Sequence, residues 1–293
     1  MSDYTKGLLI TFLGVLVISP DVLLIRLIDA GTFTVLFWRS TLSGCAILGG
    51  YLICTSRRAL GEFSKIGVPG AIITVVFSLG TFCFLYSVTH TSAANTLLIS
   101  ATAPVFAALM SIVFLSERIP LRTLRTIAGA LAGMSVIGYS SMSGRGGNIV
   151  GDLAAVLGAM SMAATFTIAR ARKSASMVPA MGLAGFLTGA GAALVAPTLA
   201  VPSGDILWAA LLGLIVVPVG FGLLTTGPRY IPAPNVSLIL LLVWWFIDEN
   251  PGGNTLAGGA VILAALAMGF LVDLRRQWGQ RKSARQAQTS APH

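Results

Sequence analysis

The chain has 293 residues, 55% of them hydrophobic and only 10% charged. A soluble domain of this size carries about 25% charged residues, so a soluble globular fold is all but excluded. The formal net charge of +9 reads, in this composition, as the basic cytoplasmic loops of a membrane protein rather than as a nucleic-acid surface.

Apolar runs separated by charged or Gly/Pro-rich breaks predict ten spans. They lie at 8–28, 33–54, 68–88, 95–115, 124–140, 152–168, 178–201, 206–226, 235–247 and 255–274. A membrane helix takes about 20 apolar residues, so ten spans leave no room for a sizeable soluble domain. Helices are expected throughout, because a lipid-facing backbone must satisfy its own hydrogen bonds. The runs are continuous and lack the alternation of a membrane β-barrel. The first run is too long for a signal-peptide core and no small-x-small site follows it, so it is read as a retained span.

The basic residues test this count. With the N-terminus in the cytoplasm, 16 of the 19 Lys and Arg fall on the inner side, Arg145 falls in an outer loop, and Arg26 and Arg39 fall within spans. That asymmetry predicts an even number of spans with both termini cytoplasmic. The segment 275–293 is basic and polar, and is expected to be a disordered cytoplasmic tail. Cys45, Cys54 and Cys83 lie in apolar runs without CxxC spacing, so they are expected to be buried small hydrophobes.

The chain repeats itself. At an offset of 144 residues, Gly7, Leu9, Leu13, Gly14 and Arg26 match Gly151, Leu153, Leu157, Gly158 and Arg170. Ala93 and Asn95 correspond to Ala233 and Asn235. Glu117 is followed six and seven residues on by Thr123 and Leu124, as Glu249 is by Thr255 and Leu256. The expected organisation is a first repeat at 7–140, a second at 151–274 and the tail. Five spans per repeat force the two repeats into opposite orientations, the inverted plan of many secondary transporters.

The stretches SAANTLLISATAPVFAALMSIVFLSERIP and GDLAAVLGAMSMAATFTIARARK, with Phe37-Trp38-Arg39 in the second span, resemble the EamA domain of the drug/metabolite transporter superfamily. The resemblance runs from about residue 7 to 274. It implies ten helices, a central cavity, and export or facilitated movement of small metabolites, from amino acids to amphiphilic drugs. One departure stands out: Ala93 to Glu117 is 24 steps, whereas Ala233 to Glu249 is 16. The ninth run, 13 residues long, would make a helix of about 20 Å at 1.5 Å per residue, short of the roughly 30 Å hydrocarbon core. A natural short helix, a half-helix lining the cavity, or a deletion that impairs transport all fit this shortfall.

Candidate site residues follow from polar groups placed in apolar runs. Asp21, Arg26 and Arg39 are ionisable residues within the first two spans, where charge is costly and faces the interior or a wet cavity. A substrate or proton site at Asp21 with an Arg partner stands against a structural ion pair, or arginines snorkelling to the outer interface. Pro20 removes a backbone hydrogen bond and is expected to kink the first span. Thr96, Ser100 and Pro104 recur every four residues and so share a face of the fourth span, either lining the cavity or bonding to a neighbouring helix. Tyr86, His90 and Asn95 lie around the turn between spans three and four. His90 is expected to be an exposed loop residue. Trp244 and Trp245 read as interface anchors or as a stacking surface for a substrate. Gly129/Gly133 and Gly185/Gly189 have GxxxG spacing, read as tight packing within one protomer. Glu117 and Glu249 read as loop anchors or caps for the following helix.

The leading expectation is a secondary transporter, an exporter working by alternating access, in the bacterial inner membrane. No Walker A sequence is present, so ATP is not the expected direct energy source. No cofactor, metal or nucleic acid is expected; the partners are a small-molecule substrate and the lipid bilayer, with the chain a monomer or homodimer. The alternatives are an integral membrane enzyme, for which the chain offers only His90 and His293 and no HExxH, a channel, or a non-transporting scaffold.

Overall fold

A computed structural model describes residues 13–14, 16–18, 20–55, 59–115, 121–142, 147–171, 177–226, 260–261 and 264. All regular secondary structure among them is helical. The helices are α1 (Asp21–Leu27), α2 (Thr32–Thr55), α3 (Ala59–His90), α4 (Ala93–Ser100), α5 (Ala103–Leu115), α6 (Leu121–Met142), α7 (Ile149–Ala171), α8 (Val178–Val195) and α9 (Ile206–Leu211), then a π-helical turn (Leu212–Val216) and α10 (Val217–Thr226). Among the described residues, five segments are long and apolar enough to cross a membrane: Gly67–His90, Ala93–Phe114, Ile149–Ala169, Val178–Val195 and Ile206–Leu223. The expected spans nine and ten and the tail lie outside the described residues, apart from helical residues at 260–261 and 264.

Three interruptions shape these helices. In α3, Gly67 adopts φ 53°, ψ −156°, a conformation that disfavours any residue with a Cβ. It separates residues 59–66 from the apolar segment that follows. The fourth span, expected to be continuous, is broken between α4 and α5. Pro104 has no N–H to continue the ladder and is tolerated only in the first turn of a new helix. At the break, the backbone N–H and the hydroxyl of Thr102 both donate to the Ile99 carbonyl, at 3.0 and 2.6 Å, which satisfies the backbone locally. In the eighth span the π turn ends two residues before Pro218, whose missing N–H and ring bulk account for the widened turn. The seventh span ends at Val195, six residues earlier than expected, and 196–205 forms a linker.

Packing relies on close backbone approach. Helix α2 lies along α8, and α3 along α7 and α8. A Cβ at Gly185 would stand 2.6 Å from the Ser40 carbonyl oxygen and 2.9 Å from Gly44 Cα. One at Gly44 would stand 2.9 Å from the Gly182 carbonyl oxygen. Gly189 likewise abuts Thr41. Between membrane helices the attraction is van der Waals contact, which small residues maximise. Gly185 and Gly189 therefore pack helices within one protomer, as their spacing suggests. In α6, Gly133 is buried and Gly129 half-buried. Cys83 is buried, whereas Cys45 and Cys54 are exposed, contrary to the expectation for all three; apolar exteriors face lipid, so an apolar run does not imply a protein interior.

Several connections gather at one end of the bundle. The Asp29 N–H donates to Asp205 Oδ2 at 3.0 Å, Thr34 Oγ1 to the Thr198 carbonyl at 2.6 Å, and Trp38 Nε1 to the Leu199 carbonyl at 2.8 Å. The α1–α2 turn and the start of α2 are thereby tied to the linker before α9.

The α2–α8 contact predicts different tolerances along α8. Gly185→Leu forces the two backbones apart, and overpacking of this kind costs about 1–3 kcal/mol or more. Gly191→Ala meets nothing within 4 Å and should be neutral. Thermal unfolding in detergent distinguishes them; equal midpoints would refute the packing account.

Candidate functional site

The site is built from the first three spans. Pro20 is the N-cap of α1, and its carbonyl accepts the Leu24 N–H at 2.8 Å. The proline therefore begins a helical segment and places Asp21 in its first turn. Along α2 the buried residues include Leu36, Arg39, Ser40 and Ser43, the three- and four-residue spacing of one helix face. Arg39 is on that face, and its guanidinium meets Asp21. Nε donates to Oδ1 at 3.1 Å and Nη2 to Oδ2 at 3.0 Å. Both residues are nearly fully buried, at 3% and 4% exposure. The Phe84 ring lies with its centroid 6.0 Å from the guanidinium carbon. A planar fork of this kind holds a carboxylate in one orientation and gives each charge a partner in a medium that would not otherwise tolerate it.

Arg26 is placed differently. Its side chain is exposed, and Nη2 donates to the carbonyls of Val88 and Thr91 at 3.2 Å each. Those carbonyls lie at the C-terminal end of α3, where a cation complements unsatisfied C=O groups. Arg26 and Arg39 are thus separated in role, one at a helix end and the other in a buried pair.

A second polar cluster centres on a residue that no motif singled out. Asp152, in the first turn of α7, is 3% exposed. It accepts from Thr91 Oγ1 at 2.7 Å, from Asn95 Nδ2 at 3.2 and 3.3 Å, and from Ser141 Oγ. Asn95 is itself fully buried and also donates to Ser141 Oγ at 3.1 Å. Ser92 caps α4 by accepting the Asn95 N–H at 3.1 Å. Gly147, at φ 151°, passes its backbone over the cluster. A Cβ there would stand 2.7 Å from Asn95 Nδ2 and 3.0 Å from Ser141 Oγ. The sequence placed Asn95 near a turn and Asp152 at the start of the sixth span. Only the fold brings them together.

The remaining candidates are distributed. Thr96 is fully buried and bonds through its hydroxyl to Ser87 Oγ at 2.7 Å, an interhelical contact. Ser100 is half-buried at the end of α4. Tyr86 stacks on His90 with ring centroids 3.9 Å apart, and His90 is exposed at the end of α3. Trp244, Trp245, Glu117 and Glu249 lie outside the described residues.

The Asp21–Arg39 fork makes a sharp stability prediction. Removing one partner of a buried pair costs about 3–5 kcal/mol, because the other charge is left uncompensated. Asp21→Asn and Arg39→Gln should each lower the unfolding midpoint more than the double variant does. A double variant as unstable as the two singles combined would show that the pair is not coupled.

Residues 5–139 match the model of the EamA-like transporter family. The pseudopaline exporter CntI of Pseudomonas aeruginosa, recorded from two strains, is 29% identical over 250 residues, covering 79% of this chain and 83% of its own. A solved crystal structure aligns with 92% of this chain and 98% of its own at a TM-score of 0.64 and 20% identity, a likeness of fold. The chain is a multi-pass membrane protein whose residues 5–139 are similar to the EamA-like transporter family.

Proposed function

We propose that this chain is a secondary transporter that exports small metabolites by alternating access. Its ten spans form two inverted five-helix repeats, and both termini lie on the cytoplasmic side of a bacterial inner membrane. The family match and the exporter relative support export. The charge asymmetry supports the orientation: Arg57, Arg58, Arg118, Arg122, Arg172 and Lys173 fall in every second connection between the expected spans. In the five-plus-five plan the second and seventh spans are equivalents, and these are α2 and α8, which pack together through their glycines.

The observation that carries a substrate reading is the buried fork between Asp21 and Arg39. A zwitterion offers an ammonium to the carboxylate and a carboxylate to the guanidinium. It exchanges one buried pair for two without moving net charge into the membrane, which keeps desolvation small. Amino-acid-like metabolites satisfy that requirement, as do amphiphilic drugs that carry both charges. The sequence of the ninth expected span adds Trp244 and Trp245, a residue type that suits substrates with an apolar or cationic part.

Flux in proteoliposomes tests the proposal. The panel comprises amino acids, pseudopaline, cationic dyes and small metabolites, with and without a pH gradient. Saturable flux is expected for a zwitterion and should fall at least tenfold in the Asp21→Asn/Arg39→Gln double variant while that protein remains folded. Absence of saturable flux for every compound counts against transport. Should a pH gradient drive flux equally in wild type and Asp21→Asn, Asp21 has no part in coupling.

A further inference from the structure

The Asp21–Arg39 pair joins α1 to α2 and lies wholly within the first repeat. An element that changes as two repeats move against one another must instead bridge them, and the Asp152 cluster does. Asp152 belongs to α7, while its donors come from the turn after α3 (Thr91), from α4 (Asn95) and from α6 (Ser141). The connection before α7 joins the same group: the Asn148 N–H donates to Thr91 Oγ1 at 3.2 Å. The cluster occupies the end of the molecule at which α3 finishes and α4 begins, where Gly151 and Gly147 pack directly on Thr91.

The chemistry of the contact matters as much as its position. Among the described residues, every group that donates to the Asp152 carboxylate is neutral, two hydroxyls and one amide. Neutral donors to a carboxylate are ones that water can replace. A carboxylate held this way is satisfied while the end is shut, because burial without donors would be costly. It is satisfied again by hydration when the end opens. Both states are therefore tolerable, and only intermediate geometries, with donors lost and water not yet admitted, are penalised. This behaviour defines a two-state closure.

We propose that Asp152, with Thr91, Asn95 and Ser141, is the latch that shuts this end of the transport path and is released in each cycle. The proposal rests on the alternating-access reading above, and its test is independent of substrate. In a background carrying Cys45→Ser, Cys54→Ser and Cys83→Ala, a reporter cysteine is placed at Ala155. That residue is 1% exposed and lies three residues beyond Asp152 on α7. A second reporter, Ala163→Cys, fully buried farther along α7, serves as a control. Each is labelled with a hydrophilic maleimide in nanodiscs.

With the latch intact, both reporters should label slowly. Thr91→Val and Ser141→Ala each remove one donor with little change in volume, and each should accelerate labelling at Ala155→Cys at least tenfold while leaving Ala163→Cys unchanged. Asp152→Asn should give the largest rise, since its amide nitrogen opposes the Asn95 amide. The two hydroxyl variants carry the test if Asp152→Asn does not fold. Unchanged labelling at Ala155→Cys in all variants, or an equal rise at both reporters in the hydroxyl variants, overturns the latch. Absent flux with an intact labelling response would instead refute the exporter reading alone.

Discussion

A hydrocarbon core provides no hydrogen-bond partner, so every polar group carried into it must find one within the protein. Much of the organisation of this molecule follows from that constraint. Charged side chains in spans are expensive, and Asp21 and Arg39, both buried, neutralise each other through two parallel hydrogen bonds. The carboxylate of Asp152 is answered by hydroxyls and an amide. Hydroxyls along the helices repeat the solution on a smaller scale: Thr74, Thr81, Thr165 and Thr167 each return a hydrogen bond to a carbonyl one turn back.

The same constraint explains why interruptions in the helices come with compensation. Breaking the backbone ladder in a membrane exposes groups that water cannot reach. The break before Pro104 is closed by Thr102, and the loss at Pro218 is absorbed by a π-helical turn rather than by an open gap. These irregularities lie among closely packed helices. The π turn sets Gly213 against Leu42, one turn of α2 from Arg39. Small residues at such crossings let irregular backbones remain in contact.

The two polar clusters divide the work differently. One ties α1 to α2 with full charges and two parallel bonds, an arrangement that only another charged group could replace. The other ties α7 to α4, α6 and the turn after α3 with neutral donors, which suits a contact made and broken. Both are carboxylates near helix starts, and their partners distinguish them.

Much of the architecture is legible in the chain itself. Apolar run lengths establish a helical membrane protein, because only a closed hydrogen-bonding pattern survives in lipid. The first eight expected runs all contain helix among the described residues. Asp21 and Arg39 could be named as candidates, because a charge in an apolar run is conspicuous. Asp152 was not singled out as one: it sits at a span boundary, where a charged residue is unremarkable. Thr91 and Ser141 likewise look like ordinary helix-end residues. Sequence alone determined the class of molecule and the cost of its buried charges. Tertiary structure decided which charges share a partner and which are answered by neutral donors, since hydrogen bonds reach only about 3 Å and the residues that meet in the two clusters are separated by 11 to 61 positions in the chain.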